Sequence, residues 1–228
     1  MSKYIDRFKQ MVEAIREEEN IQIVSYYFHP EATEDEILEV TVDLDFFLEE
    51  DIVLFYKEMN GFQLRWIYKD NPDFDPAIHV EEEAPFDAFE PFEKWYLPYD
   101  GYINLFPINY ITDSAEWETV IWSEEDREYQ ESFMNQDSSL YDVLKNMRPF
   151  DLFSRSICMS FFIEKEPEQL KVLMLGDELL DPKYSRITFF SPYIDLLLAT
   201  KGQVEKREKF YYDIRGDLKP ILTTAFKG

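Results

Sequence analysis

Along the 228 residues of the chain, apolar positions recur with two different periods, and the change between them marks its centre. Residues Ile52 to Tyr68 read IVLFYKEMNGFQLRWIY. Ile52, Phe55, Tyr56 and Met59 fall at i, i+3, i+4 and i+7, which is one face of a helix. Glu49, Glu50 and Asp51 come just before, where negative charge suits the positive end of the helix dipole. Asn60-Gly61 stops the pattern, and glycine's tolerance of left-handed backbone predicts Gly61 as the C′ residue of the helix. Asn-Gly also marks hairpin turns, but the helical spacing upstream favours the cap. The period then becomes two, with Phe62, Leu64, Trp66 and Tyr68 on one side and Gln63, Arg65 and Lys69 on the other. The stretch is a helix dropping into a strand, with Tyr56 and Trp66 as its large side chains.

The flanking sequence divides in the same way. Ser2 to Glu19 predicts a helix whose apolar face is Tyr4, Ile5, Phe8, Met11, Val12 and Ile15. Ile21 to Phe28, rich in β-branched and aromatic residues, predicts a strand that His29-Pro30 breaks. Thr33 and Glu36 have capping-box spacing, so a helix is expected from Glu34 through Val40, weakening at Thr41-Val42. Pro72, Pro76, Pro85, Pro91 and Pro98 make residues 70 to 100 a long excursion, with short β segments such as Ala77 to Val80.

Further strands are expected at Tyr102 to Phe106, Trp117 to Trp122, Ser156 to Ile163 and Lys171 to Leu175, with a short helix or turn over Asp137 to Asn146. Arg148 to Phe153 leads into the strand at Ser156. Ser191 and Pro192 fit an N-cap and first helical residue for a helix ending at Thr200, with Ile194, Leu197 and Leu198 inward and Lys201-Gly202 as its stop. No internal repeat or low-complexity tract interrupts this order. Helices towards the ends and strands between them predict an α+β domain, not a doubly wound parallel sheet.

Charge changes the picture more than any motif does. Asp and Glu total 48 against 23 Lys and Arg, a formal net charge of −25. Such a field repels nucleic acid and anionic membranes and draws in basic partners; the same acidity also serves plain solubility. The amphipathic N-terminal helix, without the continuous apolar core of a signal peptide, and the lack of a long apolar run lead us to expect a soluble, cytoplasmic protein with no membrane contact. The single cysteine, Cys158, fits a reducing compartment and a buried thiol, since no nearby cation in sequence would activate it.

Chemistry finds little footing. His29 and His79 are isolated, so no metal site is expected. Six glycines form no phosphate-cradling or nucleophile-elbow motif, and no cofactor is expected. Carboxylates are too numerous for any pair to be diagnostic of glycosidase chemistry. Basic, aromatic-interleaved stretches are missing outside the tail, and there Glu205, Glu208, Asp213 and Asp217 dilute the charge, which argues against direct nucleic-acid binding. Two acidic clusters are more informative, Glu81-Glu82-Glu83 and Glu124-Glu125-Asp126. With Asp87 and Glu90, and with Glu93 beyond them, they alternate with Phe86, Phe89, Phe92, Trp95 and Tyr96. Exposed aromatics rimmed by charge would form a binding surface; the same rings in the core would leave the acids as solvated loops.

The succession Pro30-x-x-Thr33-x-x-Glu36-Ile37, Phe55-Tyr56-x-x-x-Asn60-Gly61-x-x-Leu64-x-Trp66, Ile103 to Pro107, Arg148-Pro149-Phe150-Asp151 and Tyr193 to Gly202 resembles the SUKH superfamily of Smi/Knr-like proteins. The resemblance spans about residues 28–203 in order. Two features depart from it: Glu50-Asp51 replaces a Leu-Pro pair, and the tail beyond Gln203 has no counterpart. The resemblance implies a single SUKH-like α+β domain over residues 1–203, with a mostly antiparallel curved sheet, helices packed at the N- and C-terminal ends, and a 204–228 extension. It implies no catalytic centre; Phe55, Tyr56, Asn60, Gly61, Leu64 and Trp66 would define the fold. Bacterial members are immunity proteins that neutralise a cognate secreted toxin, often a nuclease, and fungal members are regulatory scaffolds. The acidity agrees with a basic nuclease toxin as partner, with Glu81, Glu82, Glu83, Asp87, Glu90, Glu124, Glu125 and Asp126 as the expected contacts.

Overall fold

A computed structural model of the chain describes residues 3–44, 47–90, 97–112, 146–154, 157–163, 170–175 and 188–207. In order these form α1 (Ile5–Arg16), β1 (Ile21–Phe28), α2 (Glu34–Asp43), α3 (Glu50–Glu58), β2 (Phe62–Tyr68), β3 (Glu82–Glu83) and β4 (Gly101–Leu105). A 3-10 turn at Ile108–Ile111 follows, then β5 (Met147–Ser154), β6 (Ile157–Phe162), β7 (Lys171–Leu175) and α4 (Phe190–Thr200). The strands join one curled sheet in the order β3-β1-β2-β4-β5-β6-β7. Every pairing is antiparallel except β1 with β3. The architecture is α+β, with helices at both ends of the chain.

Local chemistry explains most element boundaries. The Thr33 hydroxyl accepts the Glu36 N–H at 3.2 Å, and the Glu36 carboxylate accepts the Thr33 N–H at 2.7 Å, closing the expected capping box. α2 continues past Thr41 to Asp43, with the Thr41 hydroxyl donating to the Ile37 carbonyl at 2.7 Å within the helix. α4 ends as its sequence predicts, with Lys201 left-handed at φ 54° and the Gly202 N–H donating to the Leu197 carbonyl at 3.0 Å.

Four expectations are corrected. α3 is not capped by Gly61: Met59 is already extended, and Gly61 (φ 104°) instead lets the chain cross β4. A Cβ there would lie 2.5 Å from the Leu105 carbonyl oxygen, so a side chain is excluded by space as well as by φ. Ala77 to Val80 is turn and loop, and the short strand falls at Glu82–Glu83. Met147 to Ser154 is itself a strand, hairpinned to β6. α4 starts at Phe190, one residue before Ser191, whose hydroxyl donates to Asp51 (2.6 Å) and lies 3.0 Å from the Tyr4 hydroxyl, tying α4 to α1 and α3. Trp117 to Trp122 lies outside the described residues, as does Asp137 to Asn146 except for Asn146 itself.

The sheet is covered on both faces. On one, Phe55 of α3 packs edge-on against Tyr4 (5.5 Å), Phe8 (6.2 Å) and Phe190 (5.2 Å), and Phe8 meets Phe62 of β2 at 4.8 Å. Trp66 lies over Gly101, where a Cβ would come within 1.9 Å of its ring nitrogen, and donates from that nitrogen to the Lys201 carbonyl at 2.7 Å. The central β2–β4 pair is thereby locked to the last helix. Residues 204–207, assigned above to the extension, form a further helical turn that brings Arg207 fully into the interior. Its guanidinium donates to Asp151 and to the Tyr102 carbonyl and stands 3.7 Å from the Phe153 ring centre.

Candidate functional site

The second face of the sheet carries the residues from which a binding surface is built. Register places Gln63 opposite Asn104 and Arg65 opposite Tyr102, all pointing away from the helices. Buried polar groups in that position need partners, and the excursion after β2 supplies them. The Gln63 amide donates to the Phe86 carbonyl and to the Asn104 side chain, both at 3.0 Å, and accepts the Phe86 N–H at 3.2 Å. Asn104 donates to the Ala88 carbonyl at 2.6 Å. Arg65 donates to Ser25 (2.8 Å) and to Glu90 (2.9 Å), with its guanidinium between the rings of Phe86 (4.9 Å) and Tyr99 (5.2 Å). Segment 86–90 is clamped onto the sheet by these contacts.

The clamp decides which expected contacts face solvent. Glu90 does not: its side chain is 8% exposed and it pairs with Arg65, because the guanidinium under the excursion needs a counter-ion. Phe86 and Phe89 are half-buried, on Tyr102 (5.1 Å) and on Phe106 and Tyr110 (5.7 and 5.9 Å), so they close the core. Asp87 is exposed and accepts the Phe89 N–H at 2.9 Å. Glu124, Glu125 and Asp126 lie outside the described residues, as do Phe92, Glu93, Trp95 and Tyr96.

Glu81, Glu82 and Glu83 form an acidic lip at the edge of the sheet. Glu82 and Glu83 pair with Ser25 and Tyr26 of β1. Arg16, at the end of α1, donates to Glu81 from two nitrogens (2.7 and 2.6 Å) and lies 4.9 Å from the Tyr26 ring centre. Glu81 holds that guanidinium more firmly charged than usual. Tyr26 in turn donates to Glu83 at 3.0 Å, and its phenol is raised chiefly by burial. Two carboxylates of the lip are thus positioned by residues more than fifty places away in sequence, and Glu82 between them faces water.

Beside the lip stand two residues the sequence reading passed over, Ile78 and Val80, exposed by 69% and 56%. Buried His79 between them points inward, its Nδ1 accepting the Asp75 N–H at 2.9 Å and its ring stacked on Phe74 at 5.7 Å. No period in the sequence signalled this exposure: the chain turns here, with the Ile78 and His79 N–H groups both donating to the Asp75 carbonyl, and the turn leaves both apolar side chains outward.

The remaining candidate groups have structural roles. Tyr56 and Tyr102 are buried, their hydroxyls unpartnered among the described residues, and burial pushes both phenols well up. His29 sits edge-on to Tyr27 at 5.0 Å, and burial lowers its affinity for a proton. Cys158 is buried and its thiol pushed up to about 12, chiefly by burial. Asn60 accepts the Ile108 N–H at 2.7 Å, and Phe55, Leu64 and Trp66 are core. Among the described residues no three His, Cys, Asp or Glu are grouped to hold a metal ion, and no helix is long and apolar enough to cross a membrane. No protein-family model matches the sequence, and no curated protein matches it.

Proposed function

We propose that the chain is a non-enzymatic immunity protein of the SUKH type. It binds a cognate secreted bacterial toxin, a basic nuclease, inside the cytoplasm and blocks it through the acidic lip. The observation that carries this reading is the lip itself: Glu81, Glu82 and Glu83 along a sheet edge, Asp87 nearby, and exposed Ile78 and Val80 beside them. A carboxylate row of this kind competes with a phosphate backbone for a nuclease's basic groups, and the chain's net charge of −25 speeds the encounter. The exposed apolar pair adds salt-independent affinity.

The test is capture of partners by the tagged full chain from its native host at low and high salt, followed by a nuclease assay on the purified partner. The expected partner is a basic nuclease, inhibited by the chain, with binding weakened by salt and abolished by Ile78→Ser/Glu82→Lys. Unchanged inhibition by that variant would remove the lip from the interface. Recovery of non-toxin partners alone, from cells that make the toxin, would replace the immunity reading with a regulatory scaffold.

A further inference from the structure

Helix α2 is amphipathic towards the core yet carries a second apolar stripe towards solvent. Ile37, Val40 and Leu44 are buried. On the opposite side Asp35, Leu38, Glu39 and Val42 fall at i, i+3, i+4 and i+7, so they share one face. Leu38 is 61% and Val42 68% exposed, and Phe47, just past the helix, is 86% exposed. These are three of the five large hydrophobic residues that stand exposed among the described residues, and all three fall within one short stretch of chain. Exposed apolar residues gathered in this way and rimmed by charge mark interaction sites.

The rim indicates what covers them. From Glu31 to Asp51 the chain has ten acidic residues and no lysine or arginine. Exposed Glu34, Asp35, Glu39 and Asp43 bracket Leu38 and Val42 on the helix. Among the described residues, Lys57 reaches Glu34 (3.0 Å) and Lys3 reaches Asp51 (2.6 Å), both at the borders of the stretch. A second copy would set the same carboxylates against each other, and nucleic acid or an anionic membrane would meet the same repulsion. A polypeptide with lysine or arginine flanking its own apolar stripe satisfies both the apolar centre and the acidic rim.

We propose that the outward face of α2, Leu38 and Val42 with Phe47 beyond them, is a docking surface for a basic amphipathic helix. Apolar ridges one turn apart on α2 receive the partner's apolar ridge, while its cations pair with Glu34, Asp35, Glu39 and Asp43. The surface lies apart in sequence from the acidic lip, and the inference does not rest on the immunity reading.

The experiment titrates a fluorescent Lys/Leu amphipathic helical peptide into the full chain, with a Lys/Ser peptide of equal charge as control. The Lys/Leu peptide is expected to bind about tenfold or more tighter than the control. Leu38→Ser/Val42→Ser/Phe47→Ser, folded by circular dichroism and thermal melting, is expected to erase that advantage. Ile78→Ser/Val80→Ser is expected to keep it. Equal binding of the two peptides to the wild type, or an undiminished advantage in the triple variant, would overturn the proposal. Loss of the advantage in the Ile78/Val80 variant alone would move the site to the lip. A dimer of the chain alone, dissolved by the triple substitution in sedimentation, would make the occupant a second copy.

Discussion

The two faces of the β2–β4 pair are closed by different interactions. Towards the helices, Phe62 and Trp66 meet a layer of rings, and contact is almost wholly apolar. Towards the excursion, Gln63, Arg65 and Asn104 hold a loop by hydrogen bonds and one buried ion pair. Apolar contact is non-directional and tolerates many partners, whereas each polar clamp needs one partner in one geometry. The helix face therefore supplies stability, and the loop face fixes where segment 86–90 lies. One polar cluster breaks the apolar rule near α4, where Arg207, Asp151 and Tyr193 meet, all three buried.

That exception provides the largest expected effect. Arg207→Ala strands the Asp151 carboxylate in the interior and is expected to cost about 3–5 kcal/mol in denaturant unfolding. Replacing both partners, as Arg207→Met/Asp151→Leu, is expected to recover most of it. A single-variant cost below about 1 kcal/mol would show that residues 204–207 are not integral to the domain.

Phe55→Ala tests the aromatic layer itself. Removing a ring that touches Tyr4, Phe8 and Phe190 is expected to cost about 3–5 kcal/mol, at the lower end if the neighbouring rings collapse into the space.

On the loop face a double-mutant cycle of Arg65→Ala and Glu90→Ala is expected to yield a coupling of about 1–3 kcal/mol, reduced because Arg65 retains some solvent contact. Glu90→Ala is also expected to raise amide exchange across 86–90 while leaving α1 and α3 protected. Equal exchange in both regions would erase the distinction between the faces.

The smallest effect belongs to the α2 cap. Thr33→Ala is expected to cost about 1 kcal/mol. The Thr33 N–H, and then its hydroxyl, hold the Glu36 carboxyl below its ordinary value. A depressed carboxyl stabilises the fold above its unfolded value of about 4.3, and that contribution vanishes as pH falls through the lower folded value. The stability gap between wild type and Glu36→Gln should therefore narrow on acidification from about pH 6 to about pH 3.

Local order was readable in the residues. β-Branched and aromatic content, with the break at His29-Pro30, gave β1 its limits at Ile21 and Phe28, and the Thr33/Glu36 spacing gave the start of α2. Gly61 was readable as a special glycine but not for its reason, because close approach to Leu105 depends on a strand more than forty residues away. Ser191 looked like a cap by its neighbour Pro192, yet its hydroxyl is taken by Asp51. Of the candidate contacts, Glu81, Glu82, Glu83 and Asp87 stand at the surface, and Glu90 fails because its counter-ion, Arg65, sits on another strand.

The sequence alone determined most of the described elements, their order and the α+β class, since periodicity and caps are properties of neighbouring residues. Tertiary structure decided which charges meet. Glu58 of α3 collects the N–H groups of Lys3, Tyr4 and Ile5 that open α1. Arg16 finds Glu81, Arg65 finds Glu90, and Arg207 finds Asp151. In a chain with 48 carboxylates, every cation has many possible partners in sequence. Only the fold, by bringing distant strands and helices within a few ångströms, selects one.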